Sequence, residues 1–225
     1  MLGTGRGLLS GVLLAAVLAS PVSGGEDSIS PAEKLLFQTN HLANVSPGAR
    51  LLYEFRKSGS AEPAFDDSVE IKVRAAADGS KDVSVAFFTH ARRIAFPEVT
   101  HAEGNPVLLY VLDRDIHEME RLTKGKSGYF RKAIRLALAR SARLTETEVS
   151  YGGRSVRATE VTITPYIDDP LKDRIGRYAG KIYVFTVSSE IPGGLYSIRT
   201  TVPPAAGAKE GPLIDERLRF VRLTR

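Results

Sequence analysis

A single central segment, Asn105–Arg143, carries helical periodicity over its whole length, and strand patterns lie on both sides of it. Asn105 and Pro106 form a typical helix start, because an Asn side chain accepts from a free backbone N–H and Pro at the first position loses no hydrogen bond. A second helix is expected from near Tyr129, after the break at Gly125-Lys126-Ser127-Gly128. The apolar positions at helical spacing are Leu108, Leu112, Ile116, Met119 and Leu122 in the first helix, and Phe130, Ile134, Ala137, Leu138 and Ala142 in the second.

Strand periodicity fills most of the remaining chain. Val69, Ile71 and Val73 alternate with charged residues, and Asp78-Gly79 is a strong hairpin turn because both residues tolerate positive φ. Lys181–Ser189 is apolar on both faces, which predicts a central strand covered on both sides. About eight strands are predicted in all. The expected fold class is therefore α+β: a large curled antiparallel sheet, half-barrel-like, with a central helical hairpin inserted between two strand groups.

One predicted strand changes its apolar phase along its length. Val156 and Ala158 share one phase, whereas Val161 and Ile163 share the other. Because side chains alternate between the two faces of a strand, such a shift would turn half of them away from the core. The sequence therefore predicts a β-bulge near Thr159-Glu160.

The first residues of the chain predict export. Arg6 supplies a positive start, and the apolar run Leu8–Leu18 is too short to span a bilayer. Val22-Ser23-Gly24 fits a signal-peptidase site, so we expect a signal peptide over residues 1–24 and a single periplasmic α+β domain over residues 25–225. The chain contains no cysteine. This excludes disulfides, thiolate catalysis and cysteine-bound zinc, and it favours a bacterial periplasmic protein.

The order of these elements resembles the half-barrel of periplasmic lipoprotein carriers and of related uncharacterised bacterial domains. The features that carry the resemblance are the signal peptide, the Asp78-Gly79 hairpin, the Asn105–Arg143 helices and the closing strands of Lys181–Thr224. It covers most of the chain after the signal peptide. The resemblance implies a concave sheet face that either holds an acyl chain or is filled by helices.

Basic residues are concentrated at the end of the first predicted helix and along the second, with no acid among them. The candidate contact residues are Arg121, Lys124, Lys126, Arg131, Lys132, Arg135 and Arg140. A basic amphipathic helix can bind an anionic membrane surface or an acidic partner, here an envelope protein. The alternative is a solvated face that pairs in part with the acidic first helix, where exposed ion pairs contribute little.

Patterns typical of catalysis and cofactor binding are incomplete. Gly125-Lys126-Ser127 lacks the earlier glycine of a phosphate loop, because Glu120 stands at that position. His117-Glu118 lacks the second histidine of a zinc-protease helix, because Arg121 stands there. We therefore predict no catalytic residue, no metal ligand and no cofactor. Nucleic acid is not expected as a partner despite a net charge of +5, because no recognition motif is present.

Three functions stay open at this point. The preferred one is a non-enzymatic binding or carrier module for an apolar or amphipathic ligand, such as a lipid or lipoprotein, or for an envelope partner. The alternatives are a periplasmic hydrolase whose site assembles only in three dimensions, and a structural subunit of an envelope complex. A cavity between sheet and helices would favour the carrier. A cleft that gathers histidine and carboxylates would favour the hydrolase, and neither would favour the subunit.

Overall fold

A computed structural model describes residues 29–204 and 211–225, so the predicted signal peptide lies outside the described residues. The strands are β1 (Arg50–Ser58), β2 (Phe65–Ala75), β3 (Lys81–Phe87), β4 (Arg143–Tyr151), β5 (Arg154–Ile163), β6 (Ile182–Val187), β7 (Leu195–Val202) and β8 (Ile214–Thr224). The helices are α1 (Pro31–Glu33), which continues as a π-helical turn over Lys34–Gln38, then α2 (Val107–Thr123), α3 (Ser127–Arg140) and α4 (Lys172–Ile175). Two short 3-10 turns cover His90–Arg92 and Gly176–Gly180. None of the described helices is long and apolar enough to span a membrane.

The eight strands form one antiparallel sheet in the order β3-β2-β1-β8-β7-β6-β5-β4. β6 lies between β5 and β7, as expected for a central strand. The Tyr151 ring in β4 lies 5.8 Å from the Phe220 ring in β8, centroid to centroid. A flat sheet would hold strands four positions apart at about 19 Å, since neighbours are about 4.8 Å apart. The sheet is therefore strongly curled, and the predicted fold class is confirmed.

The helical pair begins and turns close to the predicted residues. α2 begins at Val107, and the Oδ1 atom of Asn105 accepts a hydrogen bond from the Val107 N–H at 3.1 Å. Lys124 adopts a left-handed conformation with φ of 59°, which ends α2. α3 begins at Ser127, two residues before the predicted start near Tyr129.

Asn105 also ties the start of α2 to the sheet. Its buried Nδ2 atom donates to the Tyr53 hydroxyl in β1 at 2.9 Å and to the Gly193 carbonyl at 2.8 Å. Gly193 has φ of 75°, and a Cβ atom there would lie 2.7 Å from the Leu51 side chain. The turn before β7 therefore requires glycine. One side chain thus fixes a helix, a strand and a turn relative to one another.

The β-bulge predicted near Thr159-Glu160 is absent from β5, and that prediction is wrong. The register of β5 is unbroken against β4 along its length and against β6 over its second half. Val156 and Ala158 therefore lie on the opposite face from Val161 and Ile163, and all four are buried. Both faces can be covered because the first half of β5 extends past the end of β6. The phase change reflects a change in which face is buried, not a change in register.

The alternation in β2 leads to a stability prediction. Ile71 is fully buried and Lys72 is exposed, so Ile71→Asp should unfold the domain because it places an unpaired charge in the core. Lys72→Asp should change the free energy of unfolding by only about 0.5 kcal/mol. Thermal melts followed by circular dichroism compare the two variants. Equal losses of stability would show that the faces of β2 are wrongly assigned.

Candidate functional site

Two strands, and the residue just before a third, each place one charged side chain on the buried face, in phase with apolar neighbours. Lys57 follows Phe55 on the inward face of β1, and Glu216 precedes Leu218 on the inward face of β8. Lys181 stands just before β6, two residues from the buried Tyr183. All three charged side chains are at most 5% exposed. Because an isolated buried charge is very costly, each of them needs an opposite charge nearby.

Helix α2 supplies the opposing charges. It contributes Arg114, Asp115 and Glu118, which together with Lys57, Lys181 and Glu216 we call the buried ion network. Arg114 donates two hydrogen bonds to Glu216, at 2.7 and 2.9 Å, a bidentate geometry that suits the planar guanidinium. Lys57 lies 3.1 Å from Glu216 and also binds Glu118. The network joins α2 to β1, to β8 and to the residue before β6.

Lys181 and Asp115 form the deepest part of the network. The Lys181 ammonium binds Asp115 directly and lies 3.7 Å from Glu118. The Tyr183 hydroxyl donates to Asp115 at 2.5 Å, and the Tyr166 hydroxyl lies 3.2 Å from that of Tyr183. Burial alone would lower the pKa of Lys181, but attraction to Asp115 and Glu118 raises it above its ordinary value. Lys181 therefore stays positively charged.

Burial and charge act in opposite directions on the two glutamates. Burial alone would raise the pKa of Glu216, but Arg114, Lys181 and Lys57 outweigh this and hold it at about 2. Burial raises the pKa of Glu118, and repulsion from Glu216 adds to the effect. The Oε2 atom of Glu118 also has no hydrogen-bond partner among the described residues. Of these two carboxylates, Glu118 takes up a proton first as the pH falls.

Three carboxylates of the network lie close enough to suggest a metal site. Oxygen atoms of Asp115, Glu118 and Glu216 all lie within 4.8 Å of one another. Three cations already balance them, and these are Lys57, Arg114 and Lys181. A divalent ion would have to displace ammonium or guanidinium groups that bind the same oxygens. The donor set therefore suits an ion-pair network rather than a metal ion.

The sequence prediction did not identify this network. It described the first helix only as acidic, whereas two of its acidic residues, Asp115 and Glu118, are buried on α2. Their positions, three apart and in phase with Leu108 and Val111, are the signal that could have placed them on the core face. For the strand residues, the corresponding signal is a charged residue at the inward phase of an apolar alternation, as at Lys57.

An apolar groove with a volume of about 540 Å³ lies within the helical layer. Its apolar lining consists of Phe37, Phe96, Leu109, Tyr110, Leu112, Ile116, Ile134 and Leu138, and its charged residues are Glu33, Asp113, Arg131 and Arg135. The Phe96 and Tyr110 rings stack in parallel with their centroids 3.9 Å apart. No strand residue lines the groove, so it belongs to the helices and their flanking segments rather than to the sheet.

A polar cleft with a volume of about 510 Å³ opens onto the buried ion network from another side. It is lined by Lys57, Glu62, Pro63, Phe65, Phe88, Arg92, Ile94, Arg114, His117, Glu118 and Arg121. Glu62 bridges Lys57 at 2.6 Å and Arg121 at 2.5 Å. His117 lies 3.4 Å from Glu120 and 3.8 Å from Asp113 on its own helix. His117 is thus paired with Glu120 and Asp113, which do not line the cleft, rather than with Glu62 and Glu118, which do.

The structure divides the predicted basic residues among different surroundings. Arg131 and Arg135 line the apolar groove, and Arg131 donates to Asp113 at 3.1 Å. Arg121 lies at the polar cleft, paired with Glu62. Lys124 and Lys126 lie in the α2–α3 turn, and Lys132 and Arg140 are exposed on α3. The seven side chains therefore have different neighbours, and only two of them line the groove.

Comparison with solved structures returns several chains of low sequence identity. A chain of the Pseudomonas aeruginosa MucA/MucB complex matches with a TM-score of 0.37 and 18% identity, over 87% of this chain and 57% of that one. The Mycobacterium tuberculosis lipoprotein LppX matches with a TM-score of 0.36 and 11% identity, over 86% and 96%. A LolA superfamily protein from Nitrosomonas europaea matches with a TM-score of 0.22 and 10% identity, over 86% and 92%.

These matches include a LolA superfamily protein and a putative outer membrane lipoprotein-sorting domain, the kind of domain that the sequence resembles. This chain spans little more than half the length of the MucA/MucB chain it matches. No protein-family model and no curated protein sequence matches it. At these identities and TM-scores the matches concern the arrangement of the fold, and no ligand or partner follows from them.

Removing one cation from the network should lower the stability of the fold. Lys181→Met should lower the free energy of unfolding by about 3–5 kcal/mol, because Asp115 would be left buried without its cation. Lys132→Met removes the same charge from an exposed position on α3 and should cost no more than about 0.5 kcal/mol. Urea unfolding of both variants measures the difference. A loss of stability for Lys181→Met no larger than that of the control would contradict the role of the network.

The network should also make the free energy of unfolding depend on pH. Glu216 has its pKa lowered from 4.5 to about 2 in the folded protein, so the unfolded chain takes up the proton first as the pH falls. The contribution of Glu216 is therefore present above pH 4.5 and is lost as the pH falls toward 2. In urea unfolding across this range, Glu216→Gln should lose less stability with acid than the wild type. Parallel pH profiles of the two proteins would refute this assignment.

Proposed function

We propose that this protein is a non-enzymatic binding module that holds the acyl chain of an anionic lipid in the apolar groove of its helical layer. The observation that carries the proposal is the groove itself, an apolar channel with two arginines among its lining residues. Its volume of about 540 Å³ falls within the roughly 300–1,000 Å³ typical of small-ligand sites. An acyl chain supplies the apolar surface, and its headgroup supplies the charge.

The protein leaves apolar surface uncovered in the groove. Leu109 is 56% exposed although it lies in the first turn of α2, one residue from the buried Leu108. Phe37, Phe96 and Tyr110 are only partly buried beside it. Covering such surface is favourable by about 25 cal/mol per Å². A bound chain would complete the packing of the face that α2 and α3 share.

Two arginines of the groove lie one helical turn apart on α3. Arg131 already donates to Asp113, whereas Arg135 forms no ion pair with any of the described residues. An anionic headgroup beside Arg135 would gain charge-assisted hydrogen bonds, which are stronger than neutral ones. The groove therefore suits a carboxylate or phosphate at one end and a hydrocarbon chain along its length.

The helical layer is a better candidate site than the face of the sheet. Leu108, Val111 and Met119 of α2 belong to the same buried cluster as the inward strand residues, and the ion network joins α2 to β1, to β8 and to Lys181. Helices thus fill the sheet face, which is one of the two arrangements that the resemblance implies. Because His117 is paired away from Glu62 and Glu118, the polar cleft gives less support to a hydrolase than the groove gives to a carrier.

The proposal includes the compartment and the partners. The signal peptide predicted over residues 1–24 supports action in the periplasm, where a lipid, a lipoprotein or the anionic surface of a membrane would be the source of the bound chain. The exposed basic residues Lys124, Lys126, Lys132 and Arg140 would serve a broader contact with such a surface. Binding to a membrane surface would use these four residues, whereas binding in the groove would not.

Variants of the groove separate its apolar and charged parts. Leu109→Asp should weaken binding of a fluorescent long-chain fatty acid by at least about tenfold, or 1.4 kcal/mol, while the exposed position keeps the fold intact. Arg131→Glu/Arg135→Glu should weaken the fatty acid similarly, yet leave a fluorescent alcohol of the same chain length nearly unaffected. Fluorescence titration measures both affinities, and circular dichroism checks the fold.

The matched control is Lys132→Glu/Arg140→Glu, which reverses two charges on α3 outside the groove. It should leave fatty-acid binding within about twofold of the wild type, because these two side chains do not line the groove and salt screens exposed charges. If the control weakens binding as much as the groove variants, the basic residues act as a diffuse membrane-facing surface. If neither the wild type nor any of these variants binds the fatty acid, the groove is not a lipid site.

A further inference from the structure

The two edges of the sheet differ in how they are protected. At one edge, β3 is covered by the segment that follows it, since Val83 pairs with Val99 and Phe87 pairs with Ile94. At the other edge, β4 pairs with β5 along all nine of its residues. Of the residues that the structure describes, none pairs with the outer side of β4. Its outward-pointing N–H and C=O groups are therefore free to bind another strand.

Strand β4 has few of the features that usually prevent pairing at a sheet edge. Natural proteins protect edges with short strands, proline, charged side chains (above all lysine) or bulges. The sequence RLTETEVSY contains no proline, lysine or glycine, and its charged residues are Arg143, Glu146 and Glu148. Its nine residues pair with β5 in an unbroken register. Every side chain on it is exposed or only half-buried, including Leu144 at 39% exposure. β4 is thus a long, regular and accessible template.

Charge decides what kind of strand fits this edge. Glu146 and Glu148 are two residues apart and so share a face with Leu144. Their carboxylates accept from the Thr159 and Ser155 hydroxyls and form no ion pair with the described residues. A long basic side chain opposite each glutamate would therefore meet a carboxylate that has no ion-pair partner among the described residues.

The same charges oppose pairing between two copies of this chain. In a two-fold antiparallel pair the axis passes through one residue, and that residue faces itself across the interface. An axis at Glu146 or Glu148 places that carboxylate opposite itself, and an axis at Thr147 places Glu146 opposite Glu148. Like charges directly opposite each other destabilise a strand pair. These three central registers pair the most residues of β4, so the occupant that fits the strand over most of its length is a different chain.

We propose that β4 is a strand-addition site for an extended segment of a partner protein that carries basic residues at alternate positions. Added strands gain affinity from main-chain hydrogen bonds and specificity from alternate side chains. Antiparallel pairing is slightly the more stable arrangement, and it places successive partner residues opposite Glu148, Thr147, Glu146, Thr145 and Leu144. The segment would thus carry a basic, a variable, a basic, a variable and an apolar residue in that order. This site is separate from the apolar groove.

The test uses a synthetic peptide, Thr-Lys-Thr-Lys-Thr-Leu-Thr, and the purified protein. The peptide should bind in fluorescence anisotropy, and an analogue with glutamate in place of lysine should not. Two further analogues carry N-methyl groups on one or the other alternate set of amides. Only one set faces β4, so one analogue should lose binding and the other should keep it.

Charge reversal on the protein gives the matching test. Glu146→Lys/Glu148→Lys should abolish binding of the lysine peptide and create binding of the glutamate analogue. Glu98→Lys/Glu103→Lys makes the same charge change near the covered edge and should leave binding of the lysine peptide unchanged. Absence of peptide binding to the wild type, an equal response to the two methylation patterns, or an equal effect of the two double variants would each overturn the proposal. Fatty-acid binding is measured in the same samples, so failure at one site is told apart from failure at the other.

Discussion

The structure depends on the requirement that five buried charges and the nearly buried Arg114 be paired between α2 and the sheet. Lys57, Lys181 and Glu216 come from three strand regions, and α2 supplies the groups that neutralise them. A buried ion pair contributes little net stability compared with apolar packing, but loss of one partner is very costly. A shift of α2 by one turn along the sheet would leave several charges without partners. The network therefore selects one position for α2 among those that apolar packing alone would allow.

The position of α2 determines the rest of the helical layer. One side of α2 is committed to the sheet by the network and by Asn105, which bonds to both Tyr53 and Gly193. Helix α3 then packs against another side, and the segment before β1 and the segment after β3 approach from the ends. The space left between these elements is the apolar groove. Its lining is thus a consequence of how the sheet holds α2, and Leu109 stays exposed because nothing in the described chain covers it.

Local patterns in the sequence were sufficient for much of the fold. The alternation around Ile71, the Asp78-Gly79 turn and the Asn105 start depend on neighbouring residues alone, and these features, with the α+β class, are confirmed. The buried ion network could not be predicted in the same way, since Lys57 looks like a surface residue until Glu118 and Glu216 are known to face it. The predicted β5 bulge failed because burial switches faces where the strand leaves its neighbour. Likewise, the basic residues are grouped in the sequence, but the structure separates them, because Arg131 pairs with Asp113 and Arg121 pairs with Glu62.

The central claim is that the groove between α2 and α3 holds an acyl chain with an anionic headgroup. Native mass spectrometry of the protein purified from its own envelope tests this most directly, with the Leu109→Asp variant prepared in parallel. The account predicts a wild-type species heavier than the polypeptide by the mass of one acidic lipid, and a variant that carries none. Wild-type protein at the mass of the bare polypeptide, or an equal lipid content in the variant, would contradict it.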